Sequence, residues 1–110
     1  MKTTIKIGSK NVEMVANAAS PFIYRQIFKK DFFAETQKPE VDVNVFVEMG
    51  FVMSLQASKH AGELMKTSLD EFYVWLEQFD QMDMVNAMPA IGEFYTSQEK
   101  TTSVPKNEAG

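Results

Sequence analysis

A chain of 110 residues holds one small domain and little more. It is 45% apolar and 24% charged, the balance of a globular protein, and it has no cysteine, which excludes disulfides and thiolate-bound zinc or iron–sulfur clusters. Eight Met, nine Phe, three Tyr and Trp75 stand beside a single histidine and a single arginine; with a net charge of −4 this argues against an enzyme and against a nucleic-acid binder, which needs a basic stripe.

The first residues, Met1 to Lys6, lack the apolar run of a signal peptide, and no stretch approaches the roughly 20 apolar residues of a membrane helix. The expectation is a cytoplasmic protein with no membrane partner.

In chain order, Thr3, Ile5 and Ile7 alternate with Lys2, Thr4 and Lys6, the period of a half-buried strand. Gly8-Ser9-Lys10-Asn11 is a turn cluster, after which Val12, Met14 and Ala16 alternate again. The spacing predicts an antiparallel β-hairpin over about 2–16. Such a hairpin is marginal alone and must lean on helices or pair with another edge.

Ser20-Pro21 predicts a helix start, with Ser20 as cap and proline at the first position. Ile23 and Ile27 then share a face with Tyr24 and Phe28 beside them, and Lys29 and Lys30 suit a helix C-terminus. Asp31 is placed to cap a short turn through Glu35.

After Pro39 the pattern is two-sided. Val41, Val43, Val45 and Val47 alternate like a strand, but Phe46 breaks the alternation. From Val43 to Met65 apolar or small residues recur at helical spacing, with Met49, Phe51, Val52 and Leu55 apolar off that stripe. The reading adopted is one long, central, buried helix.

Ser68 and Glu71 have the spacing of a capping box, opening a helix whose stripe is Leu69, Phe72, Leu76 and Phe79, with Tyr73 and Trp75 pointing elsewhere. Asp80 caps a last helix lined by Met84, Met88, Ile91 and Tyr95, in which Pro89 predicts a kink or a break. Residues 99–110 have no periodicity and read as a flexible tail. The hairpin followed by about four to five helices over 21–98 makes a single, mainly helical α+β domain, 1–98.

Reactive constellations are sparse. His60 has no second histidine to share a metal with. Asp70–Glu71 and Asp80–Asp83 fall at helix starts, where acids serve capping and the dipole. There is no Gly-x-Ser-x-Gly elbow, and the five glycines are too scattered to cradle a phosphate. No catalytic, cofactor-binding or metal-binding residue is assigned.

Two features point instead to protein surfaces. Residues 1–38 carry seven basic against three acidic groups, +4, and residues 39–110 carry four against twelve, −8. Either each half solvates its own face, or a basic end of one copy meets an acidic end of the next in a head-to-tail homo-oligomer. Met49, Met53, Met65, Met82, Met84 and Met88 fill either a core or an adaptable apolar surface.

The strings Thr3-Thr4-Ile5-Lys6-Ile7-Gly8-Ser9-Lys10-Asn11-Val12-Glu13-Met14 and Ser20-Pro21-Phe22-Ile23-Tyr24-Arg25-Gln26-Ile27-Phe28-Lys29-Lys30-Asp31 resemble the N-terminal half of small tail assembly chaperones of long-tailed (siphovirus-type) phages and prophages of Gram-positive bacteria. Ser68 to Asp80 is similar to the helix that follows in that family, and the resemblance spans about residues 2–98.

The resemblance implies a non-catalytic chaperone in the host cytoplasm, absent from the mature virion. It would bind and solubilise the tape-measure protein and bring tail-tube protein to it. The family often makes a longer product by programmed frameshifting, and Pro105-Lys106-Asn107 is compatible with an adenine-rich slippery codon run. Candidate partner contacts are Tyr73, Trp75, Met82, Met84 and Met88, because aromatic and Met side chains dominate contact energy. The alternative is a small structural tail or connector subunit retained in the virion, its hairpin adding strands to a neighbour.

Overall fold

The structure is a computed structural model that describes residues 1–109, with side chains for residues 1–97. The tail expected at 99–110, with its Pro105–Asn107 tripeptide, lies outside the residues described in full.

Strand alternation builds the hairpin as expected. β1 (Lys2–Ile7) pairs antiparallel with β2 (Lys10–Val15), from Lys2 opposite Val15 to Ile7 opposite Lys10. Ile5, Ile7, Met14 and Ala16 are buried while Lys2, Thr4 and Lys6 face outward. The two-residue loop has Gly8 at φ 64°, the positive first-position φ that a II′ turn requires. The inner face of this ribbon rests on helices, β2 against α3 and β1 against α6.

Among the described residues six helices follow: α1 (Ser20–Phe28), α2 (Phe32–Thr36), α3 (Asn44–Gln56), α4 (Ala61–Leu64), α5 (Leu69–Leu76) and α6 (Gln81–Ala109). The order is the α+β order expected, with one helix more than the upper count. The extra one arises because the long helix expected from Val43 to Met65 stops at Gln56. The Ser54 and Ser58 hydroxyls bond back to the Phe51 and Leu55 carbonyls, at 2.8 and 3.3 Å. Such back-bonds offer the backbone an alternative to continuing the ladder. His60 is then extended (φ −87°, ψ 166°) before α4 begins.

The strand-or-helix ambiguity at 41–47 resolves without a strand: residues 41–43 are irregular or turn, and the helix begins at Asn44, one residue after the expected start at Val43. Asp42 nucleates it: its carboxylate accepts the Asn44 N–H at 2.9 Å and its carbonyl the Val45 N–H at 3.0 Å. α3 is the central helix, with Val45, Val47, Met49, Gly50, Phe51, Val52 and Met53 all buried.

The expected caps are present at three helices. Asp31 accepts the Phe33 and Ala34 N–H groups at 3.0 and 3.4 Å. Glu71 accepts the Ser68 N–H at 3.0 Å, and Asp80 the Met82 N–H at 3.0 Å. The Ser20 cap is not formed. Ser20 lies inside α1, fully buried, and its hydroxyl donates to Gln56 Oε1 of α3 at 2.7 Å while accepting the Asn17 N–H at 3.1 Å. Gln56 Nε2 closes the ring onto Asn17 Oδ1 at 2.9 Å.

Pro89 does not break α6. It is exposed, so the Val85 carbonyl that loses its donor lies on the solvent side of the helix, not in the core. The buried stripe is Met84, Ala87, Ile91 and Tyr95.

Aromatic rings join the helices across the core. Phe28 meets Phe72 edge-on at 5.0 Å, Phe51 meets Phe72 at 5.3 Å, and Phe32 meets Tyr95 at 4.9 Å. α3 and α6 also approach closely at glycines. A Cβ on Gly50 would lie 3.2 Å from Ile91, and one on Gly92 would lie 3.2 Å from Phe46.

Candidate functional site

The helices that pack on α3 leave an apolar groove between them. One end, a cleft of about 590 Å³, is walled by Val47 and Asn44 of α3, Tyr73 and Leu76 of α5, and Val85 and Met88 of α6. Val85 and Met88 also border a second cleft of about 420 Å³, which continues along α6 past Pro89, Gly92 and Glu93 and against Val43 and Phe46. The two clefts thus share a wall and form one strip along the N-terminal half of α6.

The strip exists because of spacing. Met84, Ala87, Ile91 and Tyr95 turn α6 toward the core, which leaves Val85 and Met88 at its edge. α5 commits Phe72 to the aromatic core, so Tyr73 stands one step round the helix, 54% exposed. Val43, at the turn before α3, is 55% exposed and Val85 is 41% exposed. Exposed apolar side chains collected in one concave strip mark a binding surface more than the same residues scattered would.

Of the five expected contacts, three meet here. Tyr73 stands on one wall, Met88 on the other, half-buried, and Met84 is in the floor at 8% exposure, part of the core. Met84 is buried because it heads the inward stripe of α6, and it offers a partner no more than the base of the groove. Trp75 lies elsewhere. Its ring packs against Phe51 at 5.5 Å and Phe79 at 5.1 Å, and its free edge borders a different depression beside Val12 and Leu55. Met82 is 57% exposed at the start of α6, outside both clefts. Val43 and Val85 are the groove residues that sequence reasoning missed. Val43 belongs to the apolar spacing expected of the long central helix and Val85 lies off the stripe expected of the last one; nothing local distinguishes a valine on the rim from one beneath it.

The electrostatics are one-sided. Up to residue 97, α3, α5 and α6 carry Glu48, Asp70, Glu71, Asp83 and Glu93 and no Lys, Arg or His. Glu48 is committed internally: the Tyr24 hydroxyl donates to it at 2.6 Å and Lys30 Nζ lies 3.1 Å away. Burial first, and then the hydrogen bond to this carboxylate, pushes the Tyr24 phenol well above the ordinary tyrosine range.

Among the described residues no three His, Asp or Glu groups converge as metal ligands, and no helix is long and apolar enough to cross a membrane. His60 is a surface residue 3.3 Å from Glu63. The acids at the helix starts serve as caps at Glu71 and Asp80. No protein-family model, curated protein or solved structure matches this chain.

Proposed function

We propose that this protein is a non-catalytic tail assembly chaperone of a long-tailed phage or prophage. It holds apolar helical segments of the tape-measure protein in the groove between α3, α5 and α6 until tail-tube protein assembles around them. The observation that carries this reading is the continuous apolar strip bounded by Tyr73, Val85, Met88 and Val43. An amphipathic helix presents an apolar stripe that such a strip can cover, and covering it removes the surface through which a long apolar client aggregates. Many weak contacts repeated along one client give retention without a deep pocket.

Co-expression with the tape-measure protein is the test. The expected result is a several-fold rise in soluble client, lost when Val43→Ser and Val85→Ser are combined. Both side chains are exposed, so the double variant should keep its fold. A client that stays equally insoluble with and without the protein overturns the reading. So do abundant copies of this chain in purified virions, which assign it to the particle.

A further inference from the structure

The walls of the groove are apolar, but its rims are acidic and short of partners. Along α5 and the residue that caps its C-terminus, Asp70, Tyr73 and Glu77 follow one another at three- and four-residue spacing with helical backbone at Glu77, so both acids flank the tyrosine that forms one wall. At the far end Glu93 borders the groove directly, beside Pro89 and Gly92. Asp70, Glu77 and Glu93 are all exposed, and no Lys or Arg among the described residues lies within ion-pair distance of them. Elsewhere the molecule has cations to spare: exposed Phe22 sits among Arg25, Gln26 and Lys29 on the other side of α1. Glu48 also lines the groove and is neutralised there by Lys30, which leaves Asp70, Glu77 and Glu93 as its unpaired charges.

We infer that the occupant of the groove is a basic amphipathic helix, an apolar stripe flanked by Lys or Arg, held by its stripe in the cleft and by its cations at Asp70, Glu77 and Glu93. The inference rests on the chaperone reading and adds the chemical class of the segment recognised. Rim charges of this kind govern encounter rate and discrimination between partners more than total affinity. An acidic amphipathic helix with the same stripe would bring its carboxylates against three unpaired ones. Glu48 takes no part, since Tyr24 and Lys30 already occupy it.

The test uses the full-length protein and two labelled helical peptides of about 18 residues, long enough for five turns. Both have one Leu stripe, flanked by Lys in one and by Glu in the other, and a third peptide scrambles the Lys version. Binding is read by fluorescence anisotropy. The Lys-flanked peptide should bind about tenfold tighter than the Glu-flanked one at ~0.15 M salt, with the gap closing near 1 M as the rims are screened. Glu77→Lys with Glu93→Lys should reverse the order, and Val43→Ser with Val85→Ser should weaken both peptides.

Equal affinities for the two striped peptides, or no binding of either, overturn the inference while leaving the co-expression result to decide the chaperone reading. Equally tight binding of the scramble reduces the effect to ion attraction and also overturns it. If sedimentation shows a self-associated protein that becomes monomeric when Val43 and Val85 are replaced by Ser, the groove is occupied by a second copy. That outcome overturns the inference as well.

Discussion

The Tyr24 hydroxyl of α1 donates a 2.6 Å hydrogen bond to Glu48 Oε1 of α3, and Lys30 closes on the same carboxylate at 3.1 Å. Tyr24 is fully buried. Its phenol therefore keeps its proton in the folded chain at a pH where the unfolded chain, with the ordinary value of 10.0, loses it.

A folded-state pKa raised above the unfolded one means that this contribution is complete below pH 10 and declines as pH climbs past it. The decline approaches about 1.4 kcal/mol per pH unit for one proton. Tyr24→Phe should cost about 1–3 kcal/mol at neutral pH by leaving the carboxylate short of a donor. It should also remove its share of the alkaline slope. Urea unfolding of both proteins at neutral and alkaline pH checks this: parallel curves above pH 10 would refute it.

Ser20 ties the loop before α1 to the end of α3 through Asn17 and Gln56. Ser20→Ala should cost about 1–3 kcal/mol, since the Asn17 N–H and Gln56 Oε1 both lose their partner. Were Ser20 an ordinary helix cap, Ser20→Asp would be tolerated; in this buried ring it should destabilise more than alanine does, because an unpaired charge is added. Thermal unfolding of the two variants distinguishes the roles.

Gly8 turns the hairpin at φ 64°, and a Cβ there would collide with the Asp83 carboxylate, its Cγ only 2.7 Å away. Gly8→Ala should lose about 1–2 kcal/mol from the left-handed backbone alone. Adding Asp83→Ala should recover the collision but not the backbone cost, so a double-mutant cycle in urea should show positive coupling. Strict additivity would mean that the turn and α6 do not meet.

Lys29 closes α1 in the left-handed region, φ 59° and ψ 33°, where its N–H reaches the Arg25 carbonyl at 2.9 Å. Glycine accepts that conformation without strain, so Lys29→Gly should stabilise the protein by about 0.5–1 kcal/mol despite the looser unfolded chain. Lys29→Val should destabilise it. A lower melting temperature for the glycine variant would contradict this geometry.

The periodic and capping signals were legible because their physics is local. Alternation over Lys2–Ile7, the acids at Asp31, Glu71 and Asp80, and the all-round apolar run of α3 each involve residues within a turn or two of one another. The end of α3 at Gln56 was not legible, because the residues beyond it keep helical spacing while serine back-bonds and an extended His60 decide otherwise. Of the groove, the sequence offered Tyr73 and Met88 as candidates but ranked Trp75 and Met84 beside them.

The sequence by itself thus determined a hairpin followed by helices, the near absence of reactive groups, and a split of charge into a basic N-terminal part and an acidic remainder. Only the tertiary structure decided which apolar residues are spent in the core. Trp75 and Met84 pack against distant partners, whereas Val43, Tyr73 and Val85, no less apolar, are left at the surface. Burial depends on which helix faces meet, and those meetings join residues dozens of positions apart, such as Gly50 with Ile91 and Phe46 with Gly92. Local pattern carries no record of them.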